Sequence, residues 1–179
     1  MVNILDERIS DKRIVDLLKE IIFSFNSGRP NTGLPLGNLT SQLFSNVYLN
    51  EFDQFVKHKL KVRYYIRYAD DFVIFSEEKN YLERQIPTIR DFLLNTLHLA
   101  LCPDKIFIKT LSSGMDFLGW VHFFDHRVLR RVTRKKMFIK LYKNPKIEAL
   151  NSYLGLLKHG NTKLVRNKML KSHIENCDW

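Results

Sequence analysis

Two short β-rich runs that meet at a pair of aspartates constrain the fold of this chain more than any other feature. Residues 64–75 read Tyr-Tyr-Ile-Arg-Tyr-Ala-Asp-Asp-Phe-Val-Ile-Phe. Tyrosine, isoleucine, valine and phenylalanine favour strands, whereas aspartate favours turns. The pattern therefore predicts a β-hairpin whose tip carries Asp70 and Asp71.

Alternation along the first predicted strand divides its side chains between two faces. Successive strand residues point to opposite sides of a sheet. The two sets are Tyr64, Ile66 and Tyr68 on one face, and Arg63, Tyr65 and Arg67 on the other. We predict that one face packs on helices and that the other stays accessible to a ligand.

Helical apolar spacing surrounds this hairpin and predicts an α+β fold, an antiparallel sheet with helices on one face. Ser10 is a candidate cap for a first helix, in which Ile14, Leu17 and neighbouring apolar residues form a stripe. A further helix is predicted from Thr40 or Ser41, with Leu43, Phe44 and Phe52 among its buried residues. Others are predicted from Lys79 to Leu99, where Pro87 should kink the helix or mark its first turn, and from Thr133 onward. Short strands are predicted at Ile106–Lys109 and Asp116–Phe124.

Length and composition predict about one domain with one apolar core, because the chain has 179 residues and is 45% hydrophobic. A run of about 18 apolar residues, the length that spans a membrane, is absent from the sequence. The first residues also lack the basic and apolar regions of a signal peptide. We expect a cytoplasmic protein without a membrane partner.

The positive charge is concentrated in the C-terminal part of the chain. The net charge is +10, and residues 127–171 contain 14 Lys/Arg against one acid, Glu148, which gives +13. This distribution predicts phosphate-backbone binding by residues 127–179. A solvated face that only aids solubility is the alternative interpretation.

The paired carboxylates are candidate metal ligands. Mg²⁺ prefers oxygen ligands and keeps several waters, so a few carboxylates on rigid backbone hold it beside a substrate phosphate. Taken alone, Asp70 and Asp71 also fit an ordinary surface turn.

The order of motifs resembles prokaryotic reverse transcriptases, and within them the enzymes of diversity-generating retroelements. Residues 68–71, Tyr-Ala-Asp-Asp, match the family's Tyr-x-Asp-Asp motif. Residues 33–42, Gly-Leu-Pro-Leu-Gly-Asn-Leu-Thr-Ser-Gln, are similar to the family's fourth block, and their closing Ser-Gln is typical of the diversity-generating type. Lys105, residues 117–119 and residues 151–155 match later blocks.

The resemblance implies an RNA-directed DNA polymerase that acts on an RNA template, a DNA primer and dNTPs. It implies a partial palm over residues 1–126 and a small helical, basic thumb over 127–179. Asp70 and Asp71 would be the catalytic ligands of Mg²⁺, with Mn²⁺ as the alternative ion. The implied nucleotide contacts are Gly37, Gln42, Tyr68, Ala69 and Lys105. The implied primer grip comprises Phe117, Leu118, Gly119 and Trp120, and the implied backbone contacts are Arg130, Arg131, Arg134, Lys135 and Lys136.

One family block has no counterpart in this sequence. The family carries another metal-binding aspartate on an earlier palm strand, and neither that block nor the fingers are found here. Truncation, a split enzyme completed by another chain, and a fragment kept for binding are the three explanations. We expect little polymerase activity from this polypeptide alone, and a partner such as the N-terminal half, an accessory protein or a second copy. The alternatives are a noncatalytic nucleic-acid-binding protein and an interaction module.

Overall fold

Seven α-helices and five short strands make up the described part of the protein. The computed structural model describes residues 1–24, 33 and 39–177, and side chains up to residue 172. The helices are α1 (Val2–Arg8), α2 (Lys12–Phe23), α3 (Leu39–Gln54), α4 (Lys79–Leu97), α5 (Arg131–Lys143), α6 (Ile147–Leu157) and α7 (Lys163–Cys177). The strands are β1 (Tyr64–Tyr68), β2 (Asp71–Phe75), β3 (Met115–Phe117), β4 (Trp120–His122) and β5 (Arg127–Leu129). The predicted α+β class is confirmed.

The chain divides into two compact units, Met1–Ile108 and Lys109–Trp179. The sequence placed the boundary near residue 126, where charge and periodicity change. The structure instead groups β3, β4 and β5 with the C-terminal helices. Trp120 and Leu129 explain this grouping, because both are buried in one core with Met137 and Leu157.

In the first unit, the β1–β2 hairpin packs against α3 and α4. The buried core comes from α3, the π-helical turn Phe55–Lys59, the residues that lead into β1, and α4. It comprises Leu49, Phe52, Val56, Val62, Ile89, Leu93 and Leu97. Tyr65, Phe72 and Ile74 of the hairpin pack on this core. The Phe52 and Phe72 rings meet edge to face with centroids 4.9 Å apart. The predicted alternation is confirmed: the face with Tyr65 packs on the helices, whereas Tyr64, Ile66 and Tyr68 are more than half exposed.

The N-terminal helices differ from the prediction in their cap and their buried face. Asp11, not Ser10, caps α2, and its side chain accepts a hydrogen bond from the Arg13 amide at 2.9 Å. The aspartate lies directly before the first helical residue, the position from which a side chain reaches those amides. Ile14 and Leu17 are exposed, while Val15 is buried.

Three further local predictions are corrected or refined. Leu43, predicted to be buried on α3, is 59% exposed, although Phe44 and Phe52 of the same helix are buried. Pro87 lies inside α4, which begins at Lys79, so it does not mark the first turn of the helix. The segment 106–109 belongs to neither sheet, so the strand predicted there is wrong.

In the second unit, β3, β4 and β5 form an antiparallel meander beside α5, α6 and α7. Trp120 and Leu129 bring the meander into the helical core. The segment between α6 and α7 is joined to the meander by a hydrogen bond from the Asn161 amide to the Arg127 carbonyl, at 2.8 Å. Among the described residues, no helix is both long enough and apolar enough to cross a bilayer.

Candidate functional site

The two aspartates occupy adjacent but different positions in the hairpin. Tyr68 pairs with Asp71, so the two-residue turn consists of Ala69 and Asp70. Asp70 therefore lies in the turn, and Asp71 is the first residue of β2. Ala69 has a φ of 51°, a left-handed backbone conformation that glycine adopts far more readily. Both carboxylates are exposed at the apex of the hairpin.

Asp71 projects from the same open face as the aromatic residues of β1. Directly paired residues of antiparallel strands place their side chains on the same side of the sheet. Asp71 therefore shares its face with Tyr68, which is 63% exposed. The face presents a carboxylate at one end and aromatic and aliphatic side chains along its length.

Arg67 holds the turn to helix α3. Its guanidinium donates to both carboxylate oxygens of Asp53, from Nε at 2.8 Å and from Nη2 at 2.6 Å. Its Nη1 donates to Asn46 Oδ1 at 3.2 Å and to the Ala69 carbonyl at 2.8 Å. The Tyr65 hydroxyl donates to Asp53 Oδ1 at 2.7 Å. One side chain thus contacts two residues of α3 and the turn itself.

The electrostatics of this cluster favour the ionised pair. Burial by itself would raise the pKa of Asp53, but the hydrogen bonds from Arg67 and Tyr65 outweigh it, so the pKa lies below its ordinary value. Burial and the hydrogen bond to Asp53 raise the pKa of the Tyr65 hydroxyl well above its ordinary value. At neutral pH the cluster therefore holds a carboxylate, a guanidinium and a neutral phenol.

The predicted nucleotide contacts are only partly assembled around the turn. Gly37 lies outside the described residues. Gln42 is exposed on α3. It lies four residues before Asn46, which binds Arg67, so the two side chains share one face of the helix. Lys105 is exposed at the end of the 3₁₀ turn Pro103–Lys105. The structure records no hydrogen bond or ion pair between Lys105 and either Asp70 or Asp71.

The ligand chemistry at the turn fits a hard cation, but the ligand set is small. Carboxylate oxygens are the donors that Mg²⁺ prefers, and Asp70 and Asp71 offer them on adjacent residues. Among the side chains that the structure describes, within residues 1–24, 33 and 39–172, no three His, Cys, Asp or Glu groups lie close enough together to hold a metal. The described residues therefore supply two carboxylates, and a complete site needs further oxygen ligands.

The predicted primer-grip residues form the β3–β4 turn of the second unit. Phe117 pairs with Trp120, which leaves Leu118 and Gly119 as a two-residue turn with φ values of 53° and 82°. Positive φ at both central residues is the pattern of type I′ hairpin turns. The Gly119 carbonyl accepts a hydrogen bond from the Arg130 amide at 3.0 Å.

The residues predicted to contact the nucleic-acid backbone differ in what surrounds them in the structure. The Arg130 guanidinium binds Asp116, through Nε at 2.8 Å and through Nη2. A groove of about 550 Å³ lies on the second unit, and its lining residues are Arg131, Arg134, Lys135, Phe138, Ile139, Leu164, Val165 and Lys168. Lys136 is exposed but is not part of this lining.

Sequence reasoning missed Asn46, Asp53 and Lys168. Asp53 and Arg67 are 14 residues apart, and no motif links a helix residue to a strand residue at that distance. The sequence placed Arg67 on the same strand face as Tyr65, but it did not say which face packs on the helices. Lys168 joins the groove because α7 packs against α5, a contact that only the tertiary structure defines.

The hairpin, its supporting helices and its exposed carboxylates define the class of protein as a polymerase-palm-like α+β module. A family model described as "Reverse transcriptase (RNA-dependent DNA polymerase)" matches residues 8–122, more than half of the chain. The chain therefore belongs to the reverse transcriptase family.

Two curated proteins are also similar to this chain. The chain is 23% identical to the "Putative COX1/OXI3 intron 2 protein" of Saccharomyces cerevisiae, over 79% of this chain and 24% of that protein. It is 30% identical to "Protein YkfC" of Escherichia coli, over 71% of this chain and 42% of that protein. The chain thus spans between about a quarter and two fifths of the length of these relatives.

Proposed function

We propose that this chain carries the Asp-Asp hairpin and thumb of an RNA-directed DNA polymerase, which adds dNTPs to a DNA primer on an RNA template. The observation that carries the proposal is the position of Asp70 and Asp71 at the exposed apex of a hairpin that is fixed on α3. Membership of the reverse transcriptase family supports it.

In this proposal Asp70 and Asp71 hold the catalytic Mg²⁺, for which Mn²⁺ is the alternative. Bound divalent ions would supply Lewis acidity at the primer hydroxyl and neutralise charge on the leaving pyrophosphate. Tyr68 and Ala69 lie beside the carboxylates and are suited to contact the primer terminus and the incoming nucleotide. Gln42 and Lys105 are exposed in the same unit and available to a nucleotide.

The test is primer extension on an RNA template, with Mg²⁺ or Mn²⁺, by this chain alone and together with a polypeptide that supplies the family's earlier aspartate block. Asp70→Asn and Asp71→Asn should each lower dNTP incorporation at least about a hundredfold, the scale expected when a catalytic electrostatic group is removed. Asp91→Asn, on the exposed surface of α4, is the matched control. Undiminished incorporation by Asp70→Asn would refute the proposal.

A noncatalytic nucleic-acid-binding protein is the second candidate, because the described residues contain two carboxylates at the turn and no larger group of metal ligands. In that case the groove of the second unit binds phosphates through Arg131, Arg134, Lys135 and Lys168. RNA binding that survives Asp70→Asn and Asp71→Asn, without dNTP incorporation when a polypeptide with the earlier aspartate block is supplied, would favour this candidate.

The proposed subgroup is the diversity-generating retroelement type, and it depends mainly on Gln42. The side chain is exposed on the face of α3 that carries Asn46, so it is available to a templating base or nucleotide. Gln42→Ala, which removes the side-chain amide, should alter base selectivity while thermal stability changes little, because Gln42 is exposed on α3. Unchanged selectivity in an active complex would remove the basis for this assignment.

A further inference from the structure

Arg67 joins the Asp70–Asp71 turn to the helix behind it. It lies on the helix-facing side of β1 and is only 11% exposed. Its bidentate contact with Asp53 uses two N–H groups, and Nη1 contacts Asn46 and Ala69. Bidentate pairs between arginine and a carboxylate fix geometry as well as charge. The contacts with α3 therefore fix the orientation in which the guanidinium meets the turn.

The contact with Ala69 bears directly on the carboxylates. The Ala69 carbonyl belongs to the peptide group that joins Ala69 to Asp70, so the hydrogen bond at 2.8 Å fixes the plane of that peptide. Together with φ of Asp70, that plane sets the direction in which the Asp70 side chain leaves the backbone. It also supports the left-handed conformation of Ala69, which an alanine would not adopt readily without outside contacts.

We propose that Arg67 is a positioning residue, which orients the Asp70–Asp71 turn through the Ala69 carbonyl and is itself aligned by Asp53 and Asn46. The catalytic consequence of this inference rests on the proposed function, in which Asp70 and Asp71 are metal ligands and Arg67 orients them. Arg67 contacts neither carboxylate of the turn. Its effect is therefore on geometry, in the way that residues behind a metal ligand tune metal affinity.

Lysine cannot replace this arginine. A lysine ammonium is a compact charge on a flexible stem, whereas the guanidinium is a planar fork with five donors. Arg67→Lys keeps the charge and can pair with Asp53, but it cannot contact Asp53, Asn46 and the Ala69 carbonyl together. The substitution thus removes the alignment and leaves the charge balance of the cluster unchanged.

The experiment compares Arg67→Lys with Arg90→Lys, a control at an exposed position of α4, in the full chain. Hydrogen exchange of residues 68–72 is measured by NMR, and Mn²⁺ affinity by electron paramagnetic resonance. We expect Arg67→Lys to speed exchange of the turn amides about tenfold, as for the loss of one charge-assisted hydrogen bond. Mn²⁺ affinity should fall about tenfold, as for other residues behind a ligand. Arg90→Lys should change neither quantity.

Asn46→Ala provides a milder variant in case Arg67→Lys does not fold. It removes one acceptor of Nη1, at the longest of the four Arg67 hydrogen bonds, and should raise turn exchange about two- to threefold, at the low end of the range for one hydrogen bond. Exchange and Mn²⁺ affinity equal to the control would overturn the proposal. So would faster exchange that is uniform across α3 and α4, since that result indicates general destabilisation.

The double variant Asp70→Asn, Asp71→Asn separates this inference from the proposed function. If it leaves Mn²⁺ affinity unchanged, the metal role of the turn is wrong, and turn exchange still decides whether Arg67 positions the turn. If it abolishes Mn²⁺ binding while Arg67→Lys has no effect on either quantity, the metal role stands and the positioning role falls.

Discussion

The left-handed backbone at Ala69 shows how much the Asp70–Asp71 turn depends on a single residue. Residue 69 is the first of two turn residues and has a φ of 51°, yet it carries a Cβ. An alanine tolerates this conformation at a cost of about 1–2 kcal/mol, whereas a β-branched side chain meets a larger steric barrier. The size of the side chain at this position therefore affects both the stability of the protein and the orientation of the Asp70 side chain.

Ala69→Val should lower the free energy of unfolding by about 1–2 kcal/mol, because valine at positive φ is a genuine steric outlier. Ala69→Gly should change it by less than about 1 kcal/mol, since relief of strain offsets the greater unfolded entropy of glycine. Urea unfolding of the three proteins measures both effects. A valine variant as stable as the glycine variant would contradict the left-handed conformation.

Ser41 offers a second test at this scale. Its Oγ is buried and finds no hydrogen-bond partner among the residues that the structure describes. An unpartnered buried hydroxyl costs about 1–3 kcal/mol of desolvation. Ser41→Ala should therefore raise the free energy of unfolding by about 1 kcal/mol, as measured by urea denaturation. A loss of stability would mean that the hydroxyl has a partner in the folded protein.

At the scale of elements, ion pairing between β1 and α3 makes the placement of the hairpin sensitive to pH. Asp53 has a lowered pKa in the folded protein, so its contribution to stability is present above its unfolded pKa of about 3.9. That contribution is lost as the pH falls through the lower folded value. The pairing of strand and helix should therefore weaken in acid.

Asp53→Asn should reduce the free energy of unfolding at about pH 7, and the difference from wild type should shrink as the pH is lowered from about 5 to about 3. Urea unfolding across this range measures the difference. Asp91→Asn, on the surface of α4, should show no comparable trend. A difference for Asp53→Asn that stays constant with pH would contradict the ionised pair.

The contact between the meander and the α6–α7 connection depends on a glycine. A Cβ at Gly160 would overlap the Trp120 ring and would lie 2.9 Å from the Arg127 carbonyl oxygen. A Cβ at Gly155, near the end of α6, would meet no described atom within 4 Å outside its own helix backbone. The two glycines therefore differ in what an added methyl group would contact.

Gly160→Ala should lower the free energy of unfolding by about 1–3 kcal/mol through overpacking. Gly155→Ala should raise it by about 0.5–1 kcal/mol, because alanine is the better helix former. Thermal denaturation of the two variants checks the opposite signs. Equal effects would indicate that the close approach of Gly160 to Trp120 is incorrect.

At the scale of the whole molecule, the charge distribution determines how binding responds to salt. The groove on the second unit is lined by four cations and no acid. Each phosphate neutralised by a cation contributes about 0.9 to the slope of log affinity against log salt for duplex nucleic acid. If the charged surface makes no specific contacts, the salt slope should change by the same amount whichever cations are removed.

Replacing Arg134, Lys135 and Lys168 with alanine should weaken binding of an RNA–DNA duplex and lower the salt slope by about 2–3. The control replaces Lys140, Lys146 and Lys158, which are exposed outside the groove lining. Both triple variants reduce the net charge from +10 by three, to +7. Fluorescence anisotropy at several salt concentrations measures the slope for each triple variant. Equal slopes would contradict phosphate binding in the groove.

Features that depend on neighbours along the chain could be predicted from the sequence. Alternation predicted that one face of β1 packs on helices and the other stays open, and apolar spacing predicted α4 and a helical segment from Thr133 onward. It also predicted that the carboxylates lie at the end of a hairpin, because the residues of a turn are adjacent in sequence. Membership of the reverse transcriptase family followed from contiguous motifs.

Only the tertiary structure decided which residues from different elements meet. It brought Asp53 and Asn46 to Arg67, placed Lys168 beside Arg134, paired Arg130 with Asp116, and joined the β3–β5 meander to the C-terminal helices. It also left the Ile14 and Leu17 stripe exposed. Local spacing specifies the faces of a helix or strand, but packing between elements distant in sequence determines what covers each face.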